Sequence, residues 1–369
     1  MKLNRFAPAA ILAAGALTLS ACGGASATGE EGNGGGGGEG SNLSGTLTGI
    51  GASSQKAAMD AWIADFTSEN SDAQVQYSPD GSGAGREQFL GGNAQFAGSD
   101  SYLDEDEVEA AKDVCGPDGA YEFPVYISPI AVAYNLEGVD EVKLSAETIA
   151  KIFKGEITKW NDEAIASENE GVELPDEQIT PVHRSDDSGT TENFTEYLAD
   201  AAGDTWDEEP ADAFPSAFGG EAAQGTDGVV QTVNDTPGAI GYADASAVGD
   251  LGTVHVKVGE EYVEYTPEAA AKVVDASEPV EGRGDGDLAI DLKRDTTESG
   301  AYPIVLVSYH LVCSTYQDQE TVDLVKAWEN FVVSEEGQQS AAESAGSAPI
   351  SEDLRSQITE ILDTIEVKS

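Results

Sequence analysis

Two stretches of this chain, Phe123 to Asn135 and Tyr302 to Cys313, are apolar over longer runs than the other strand-like segments, and each reads as a crossing between domains. Between them lies a block with strands and helices of its own: Ser145 to Phe153, Ile179 to His183, Thr191 to Ala202, Gly228 to Val233, Ala239 to Tyr242 and Thr253 to Val258. Before the first crossing, Leu47 to Ile50, Val75 to Tyr77 and Phe96 to Ser99 read as short strands. Met59, Trp62, Ile63 and Phe66 recur there at helical spacing. After the second crossing, Thr321 to Val333 and Ser351 to Ile365 read as amphipathic helices. This alternation argues an α/β architecture, and the length suits two domains. The chain leaves one domain, builds a second and returns. That sets the limits at 43–127 and 303–369 for the first domain and 128–302 for the second.

The amino-terminal end is a targeting segment. Lys2 and Arg5 precede an apolar core from Ala9 to Leu19, and Leu19-Ser20-Ala21-Cys22 follows. That ending resembles the bacterial lipobox. The resemblance implies loss of residues 1–21 as a signal peptide and acylation of Cys22, palmitate included; the alternative is an ordinary signal peptide that ends in cysteine. Residues 22–42 are dominated by Gly, Ser, Ala, Thr and Glu. Such a linker buries no core and acts as a coil with a reach of about 25 Å. No later stretch is apolar for long enough to span a bilayer. The expectation is a protein on the extracytoplasmic face of the cell membrane, held there by its lipid alone.

The net charge of −51 argues against nucleic acid and against anionic headgroups as partners. An anionic ligand has to be held by short-range contacts, since salt screens the wider repulsion beyond about 8 Å. Of three cysteines, Cys115 and Cys313 remain once Cys22 carries lipid. An even pair in an oxidising compartment favours a disulfide, with two buried thiols as the alternative. The bridge would staple together the two separated pieces of the first domain.

Arg184-Ser185-Asp186-Asp187-Ser188-Gly189-Thr190 combines a fixed cation, hydroxyls and small backbone positions just before a helical pattern. Helix N-termini offer unpaired N–H groups and partial positive charge, so this segment reads as an anion clamp. Ser53-Ser54, Ser82-Gly83 and Ser99-Asp100 also stand at strand ends ahead of helices. Taken singly, an N-cap is the usual explanation for such serines. Gly81 to Gly85 lacks the spacing of a dinucleotide fingerprint. Asp104 to Glu107 reads as the solvated first turn of a helix rather than a calcium loop.

Together these segments resemble the phosphate-binding proteins of bacterial high-affinity phosphate ABC transporters. The resemblance is carried by Gly49-Ile50-Gly51-Ala52-Ser53, Asp80-Gly81-Ser82-Gly83, Phe96-Ala97-Gly98-Ser99-Asp100, the run from Ile149 to Trp160, Arg184 to Thr190, and Pro237-Gly238-Ala239-Ile240-Gly241-Tyr242. It implies a two-domain periplasmic-binding-protein-like fold of type II, with two crossover segments and a ligand cleft between the domains. It implies hydroxyl donors at Ser53 and Ser82 and a backbone N–H from Ser54, where some members carry an aromatic residue. It further implies a carboxylate accepting a ligand hydrogen at Asp100 and a guanidinium at Arg184 held by Asp186. Ser188, Gly189 and Thr190 complete the set as an N–H and hydroxyl cluster. The ligand would be hydrogen phosphate, the partners a permease and its ATPase, and the protein a monomer without cofactor. Phosphate near neutral pH keeps a hydrogen and sulfate does not, so Asp100 would reject sulfate by facing it with a like charge. Phosphate has few atoms, and about 1.5 kcal/mol per atom sets the scale at roughly micromolar affinity.

The competing class is a secreted phosphate-ester hydrolase, with Ser188 as nucleophile and His183 and Asp186 beside it. No nucleophile elbow surrounds Ser188, and neighbours in sequence say little about geometry, so no catalytic residue is assigned. His183, His255 and His310 are scattered without metal-ligand spacing, so no metal site is assigned. His310 reads as a packed core residue. A phosphate-sensing or adhesin lipoprotein is the third class.

Overall fold

A computed structural model describes residues 43–284 and 286–368. The signal segment, Cys22 and the linker 22–42 lie outside the described residues. The first elements alternate: β1 (Gly45–Gly51), α1 (Lys56–Glu69), β2 (Ala73–Ser78), α2 (Ser82–Leu90), β3 (Phe96–Ser99) and α3 (Glu105–Cys115). In α1 the helical spacing buries Met59, Trp62 and Phe66 and leaves Ile63 half-buried. Helix α3 opens on a capping box in which Asp104 accepts from the Glu107 amide and Glu107 accepts from the Asp104 amide. The acidic run is thus the start of a helix.

The long strand β4 (Ala120–Tyr134) follows. Then come β5 (Val142–Leu144), α4 (Ala146–Phe153), α5 (Glu163–Glu168), β6 (Thr180–Arg184), α6 (Gly189–Ala202), β7 (Glu221–Ala223), α7 (Gly225–Asp235), β8 (Ala239–Asp244), β9 (Gly252–Val258), β10 (Glu261–Val263) and α8 (Pro267–Asp275). The chain returns through short β11 (Glu278–Pro279) and β12 (Ile290–Asp291) to β13 (Val305–Cys313). It ends with β14 (Thr315–Tyr316), α9 (Gln319–Val333), α10 (Glu335–Ala345), α11 (Glu352–Leu362) and β15 (Glu366–Val367).

The main sheet runs in the order β2-β1-β3-β13-β4-β8-β6-β7, with β9, β5 and β10 branching from β4. Its two ends are parallel groups, β2-β1-β3 and β8-β6-β7. The middle is antiparallel: β13 pairs with β3 and with the first part of β4, and the last part of β4 pairs with β8. Both predicted crossings therefore lie at the centre of the sheet, and β4 alone belongs to both groups. Its neighbour changes from β13 to β8 at Pro129–Ile130. The β13–β4 register shifts between Ser308 and Tyr309, opposite Tyr126 and Pro124. Proline lacks the N–H that a regular ladder needs, and such irregularities re-aim nearby side chains. This is the α/β, two-domain periplasmic-binding-protein-like fold that the resemblance implies.

One apolar cluster extends from Leu47 and Trp62 through Val125 and Leu306 to Phe153 and Phe194, so the two sheet groups share a core. Cys115 at the end of α3 is bonded to Cys313 at the end of β13, with Cα atoms 4.6 Å apart across 198 positions of sequence.

Candidate functional site

In open α/β sheets the space beyond the carboxyl ends of parallel strands is where ligands bind. Here the segments after β1, β2, β3 and β6 meet in that space. Asp100, directly after β3, is buried, and its carboxylate accepts hydrogen bonds from both sheet groups. Oδ1 accepts from Ser54 Oγ and from Ser308 Oγ, each at 2.6 Å, and Oδ2 accepts from Thr190 Oγ1 at 2.9 Å. The Asp100 amide donates to Ser82 Oγ at 3.1 Å, and its carbonyl accepts from Asn193 Nδ2 at 2.8 Å. Ser53 Oγ lies 3.0 Å from Thr226 Oγ1 and accepts from the Thr226 amide at 3.1 Å.

Two glycines make this approach possible. A Cβ at Gly189 would lie 2.7 Å from Asp100 Cβ and 2.9 Å from Ser82 Oγ, so the first turn of α6 comes this near only without a side chain. Gly81 has φ +110°, and a Cβ there would meet Asp186 Oδ2 at 2.7 Å and Arg184 Nη2 at 3.7 Å. The loop before α2 therefore runs against the guanidinium.

Arg184 ends β6 and is 3% exposed. Its Nε donates to Asp186 Oδ1 at 2.9 Å, and Nη2 donates to Asp186 Oδ2. That leaves three of the five guanidinium donors without a partner among the described residues. Burial pushes the Asp186 carboxyl up. The Arg184 hydrogen bond and charge, helped by the Gly225 amide at 3.0 Å, outweigh it and hold the carboxyl below its ordinary value. Tyr242 donates to or accepts from Thr191 Oγ1 at 2.8 Å and accepts from the Arg184 amide; burial pushes its hydroxyl up to about 12.

Most of these serines do not cap helices. Gln55 and Gly81 hold the N-cap positions of α1 and α2, so the hydroxyls of Ser53, Ser54 and Ser82 serve the cluster instead. Ser188 differs. It caps α6 by accepting from the Thr191 amide at 3.3 Å, and its own amide donates to the Asp212 carbonyl at 2.9 Å. The Gly189 and Thr190 amides stand in the first turn, where no intrahelical carbonyl can reach them. Further ties join the groups: Gly83 donates its amide to the Asp187 carbonyl, and Arg86 pairs with Glu107 and Asp212 at 3.0 Å each. A cation with spare donors, beside hydroxyls and helix N-termini, is chemically a receptor for an oxyanion.

The sequence matches the profile of the PBP superfamily domain over residues 36–336. It is 37% identical to phosphate-binding protein PstS 3 of Mycobacterium tuberculosis, over 99% of this chain and 100% of that one. Identity to phosphate-binding protein PstS 2 of the same species is 34%, over 99% and 100%. The chain belongs to the phosphate-binding proteins of the PBP superfamily. The fold is shared with a phosphate-binding protein from Stenotrophomonas maltophilia, at TM-score 0.64 and 20% identity over 86% of this chain and 94% of that one. It is also shared with a high-affinity periplasmic phosphate-binding protein, PfluDING, solved bound with phosphate. There the TM-score is 0.70 at 20% identity, over 85% and 93%.

In this family member the structure brings Ser53, Ser54, Ser82, Asp100, Arg184, Asp186, Ser188, Gly189 and Thr190 into one cluster. It gives Ser54 a hydroxyl bond to Asp100 in addition to the backbone position expected of it. It also adds residues the sequence reading lacks: Thr226 against Ser53, Ser308 against Asp100, Tyr242 behind Arg184, and Gln55 behind Ser308. Ser308 carried a signal, as a hydroxyl inside a run of apolar residues. Thr226 was hidden by starting its helix at Gly228; α7 starts at Gly225. The triad of Ser188, His183 and Asp186 is not formed: His183 Nδ1 meets the Arg184 carbonyl at 2.8 Å and its ring stacks on Phe214, while Asp186 holds Arg184.

Proposed function

We propose that this chain captures inorganic phosphate outside the cytoplasm and delivers it to the permease and ATPase subunits of an ABC-type importer. One observation supports the reading above the others: a buried guanidinium with spare donors stands in one cluster with a carboxylate that still has acceptor capacity. A carboxylate offers about four lone-pair sites, and Asp100 uses three on hydroxyls. The remaining one suits a hydrogen carried by the ligand. Phosphate brings that hydrogen together with acceptor oxygens for Arg184, for the hydroxyls of Ser53 and Ser82, and for the amides of Ser54, Gly189 and Thr190. Ser188 holds the end of α6 in place, and Asp186 holds Arg184.

In this proposal residues 43–127 and 303–369 form one domain, 128–302 the other, and the cleft between them closes on the anion. The protein acts as a monomer, anchored through lipid on Cys22. Calorimetry on the mature protein tests the function. Phosphate should bind stoichiometrically, a large sulfate excess should compete little, and p-nitrophenyl phosphate should release no product above background. Sustained turnover, or no heat with phosphate, would overturn the reading.

A further inference from the structure

Behind Asp100, away from the donors of β6 and α6, a line of buried polar side chains runs into the apolar core. Ser308 Oγ, which donates to Asp100 Oδ1, accepts from Gln55 Nε2 at 2.7 Å. Gln55 Oε1 meets His310 Nε2 at 3.2 Å, and His310 Nδ1 meets the Glu329 carboxylate at 2.9 and 3.1 Å. Gln55, Ser308, His310 and Glu329 are each 0% exposed. The His310 ring is walled by Trp62, Phe96 and Trp328. All four break a local rule. Glutamine is not a favoured N-cap, yet Gln55 takes that position in α1 and its side chain caps nothing. Ser308 and His310 interrupt the apolar strand β13, and Glu329 is an acid at the buried face of α9. Residues that violate local preference inside a well-packed core mark function or specificity.

From His310 to Asp100 the direction of donation is fixed. Gln55 Nε2 also lies 3.3 Å from the Tyr309 carbonyl, which can only accept, so the amide nitrogen faces Ser308 and Tyr309 and the amide oxygen faces His310. His310 Nε2 therefore carries a hydrogen. On the other side of the ring one proton is shared between Nδ1 and Glu329, whichever of the two holds it. Donation then runs one way, from His310 to Gln55 to Ser308 to Asp100.

We propose that Glu329, His310, Gln55 and Ser308 are positioning residues that hold Asp100 as a hydrogen-bond acceptor and so set the preference for oxyanions that carry a hydrogen. The inference rests on the phosphate reading above. If the line breaks, Ser308 is free to turn its hydrogen elsewhere. Asp100 then loses a donor that fixes its carboxylate, the carboxylate can swing off the ligand, and sulfate no longer meets a like charge held against it.

The test is competition calorimetry with inorganic phosphate and sodium sulfate on the wild type, Ser308→Ala, Ser308→Thr and Glu329→Gln, with thermal melting to establish folding. Glu329→Gln lets the ring keep its hydrogen on Nδ1 and bare Nε2, which turns Gln55 around. Ser308→Ala and Glu329→Gln should each narrow the phosphate-to-sulfate affinity ratio by about tenfold, while Ser308→Thr, which keeps the hydroxyl, retains it. A folded Ser308→Ala or Glu329→Gln protein with the wild-type ratio, including one in which both affinities fall together, overturns the relay. Should Glu329→Gln fail to fold, the Ser308 pair decides alone. Wild-type protein that takes up no phosphate would instead refute the function, and the relay's purpose with it.

Discussion

Removing the guanidinium of Arg184 is the most direct perturbation of the site. Arg184→Ala deletes the spare donors and leaves Asp186 facing the anion with no cation between them. Asp186 keeps the Gly225 amide at 3.0 Å. A planar guanidinium presents up to two parallel N–H groups to an oxyanion. At about 1.5–3 kcal/mol for each charge-assisted bond, the loss is about 3–6 kcal/mol, or about 10²–10⁴-fold in affinity. The assay is phosphate calorimetry on the wild type, Arg184→Ala, Asp186→Ala and the double variant, with circular dichroism to establish folding. Asp186→Ala should cost less, because it frees the arginine without removing it. The double variant should bind better than Arg184→Ala alone, since the stranded carboxylate is gone. The two changes are therefore non-additive. If folded Arg184→Ala binds phosphate within about threefold of wild type, the donors of Arg184 are not in the site and the proposal is wrong.

Two further outcomes concern stability. Replacing Cys115 and Cys313 by serine opens a loop of 198 residues, for which chain entropy gives up to about 5 kcal/mol; urea unfolding should show a loss of at least about 2 kcal/mol, and no loss would refute the constraint. Asp244 is fully buried with Oδ2 unpartnered among the described residues, and burial, against the pull of Ser246 and Ser128, raises its carboxyl to about 6. The folded value lies above the unfolded one, so the native state is favoured below about pH 4 and loses that advantage as pH rises through about 6. Asp244→Asn should therefore stabilise the fold at pH 8, by roughly 1–3 kcal/mol, and give no such gain at pH 3.5. A gain of equal size at both pH values would contradict the argument.

Much of the site was legible because oxyanion chemistry needs particular residue types at strand ends, and Ser53, Ser82, Asp100 and Arg184 announce themselves there. Their partners were not, because partnership is a property of the closed chain. Ser53 meets Thr226 across 173 positions and Gln55 meets Ser308 across 253. His310 reads as a packed aromatic, and it is one, but its pairing with Glu329 requires knowing which face of α9 lies on β13. Helix α10 was missed for a different reason. Its buried face is Gly337, Gln338, Ala341 and Ala345, small or polar residues that allow close packing and give no apolar period. There the Trp62 indole of α1 donates to the Gly337 carbonyl at 2.7 Å.

β4 passes without interruption from one set of hydrogen-bonded neighbours to the other. Neither half can fray past Pro129 without stripping an edge from its counterpart, so heat should melt the whole in a single cooperative step. An anion lodged on one flank ought then to slow amide exchange along the full length of that shared beam.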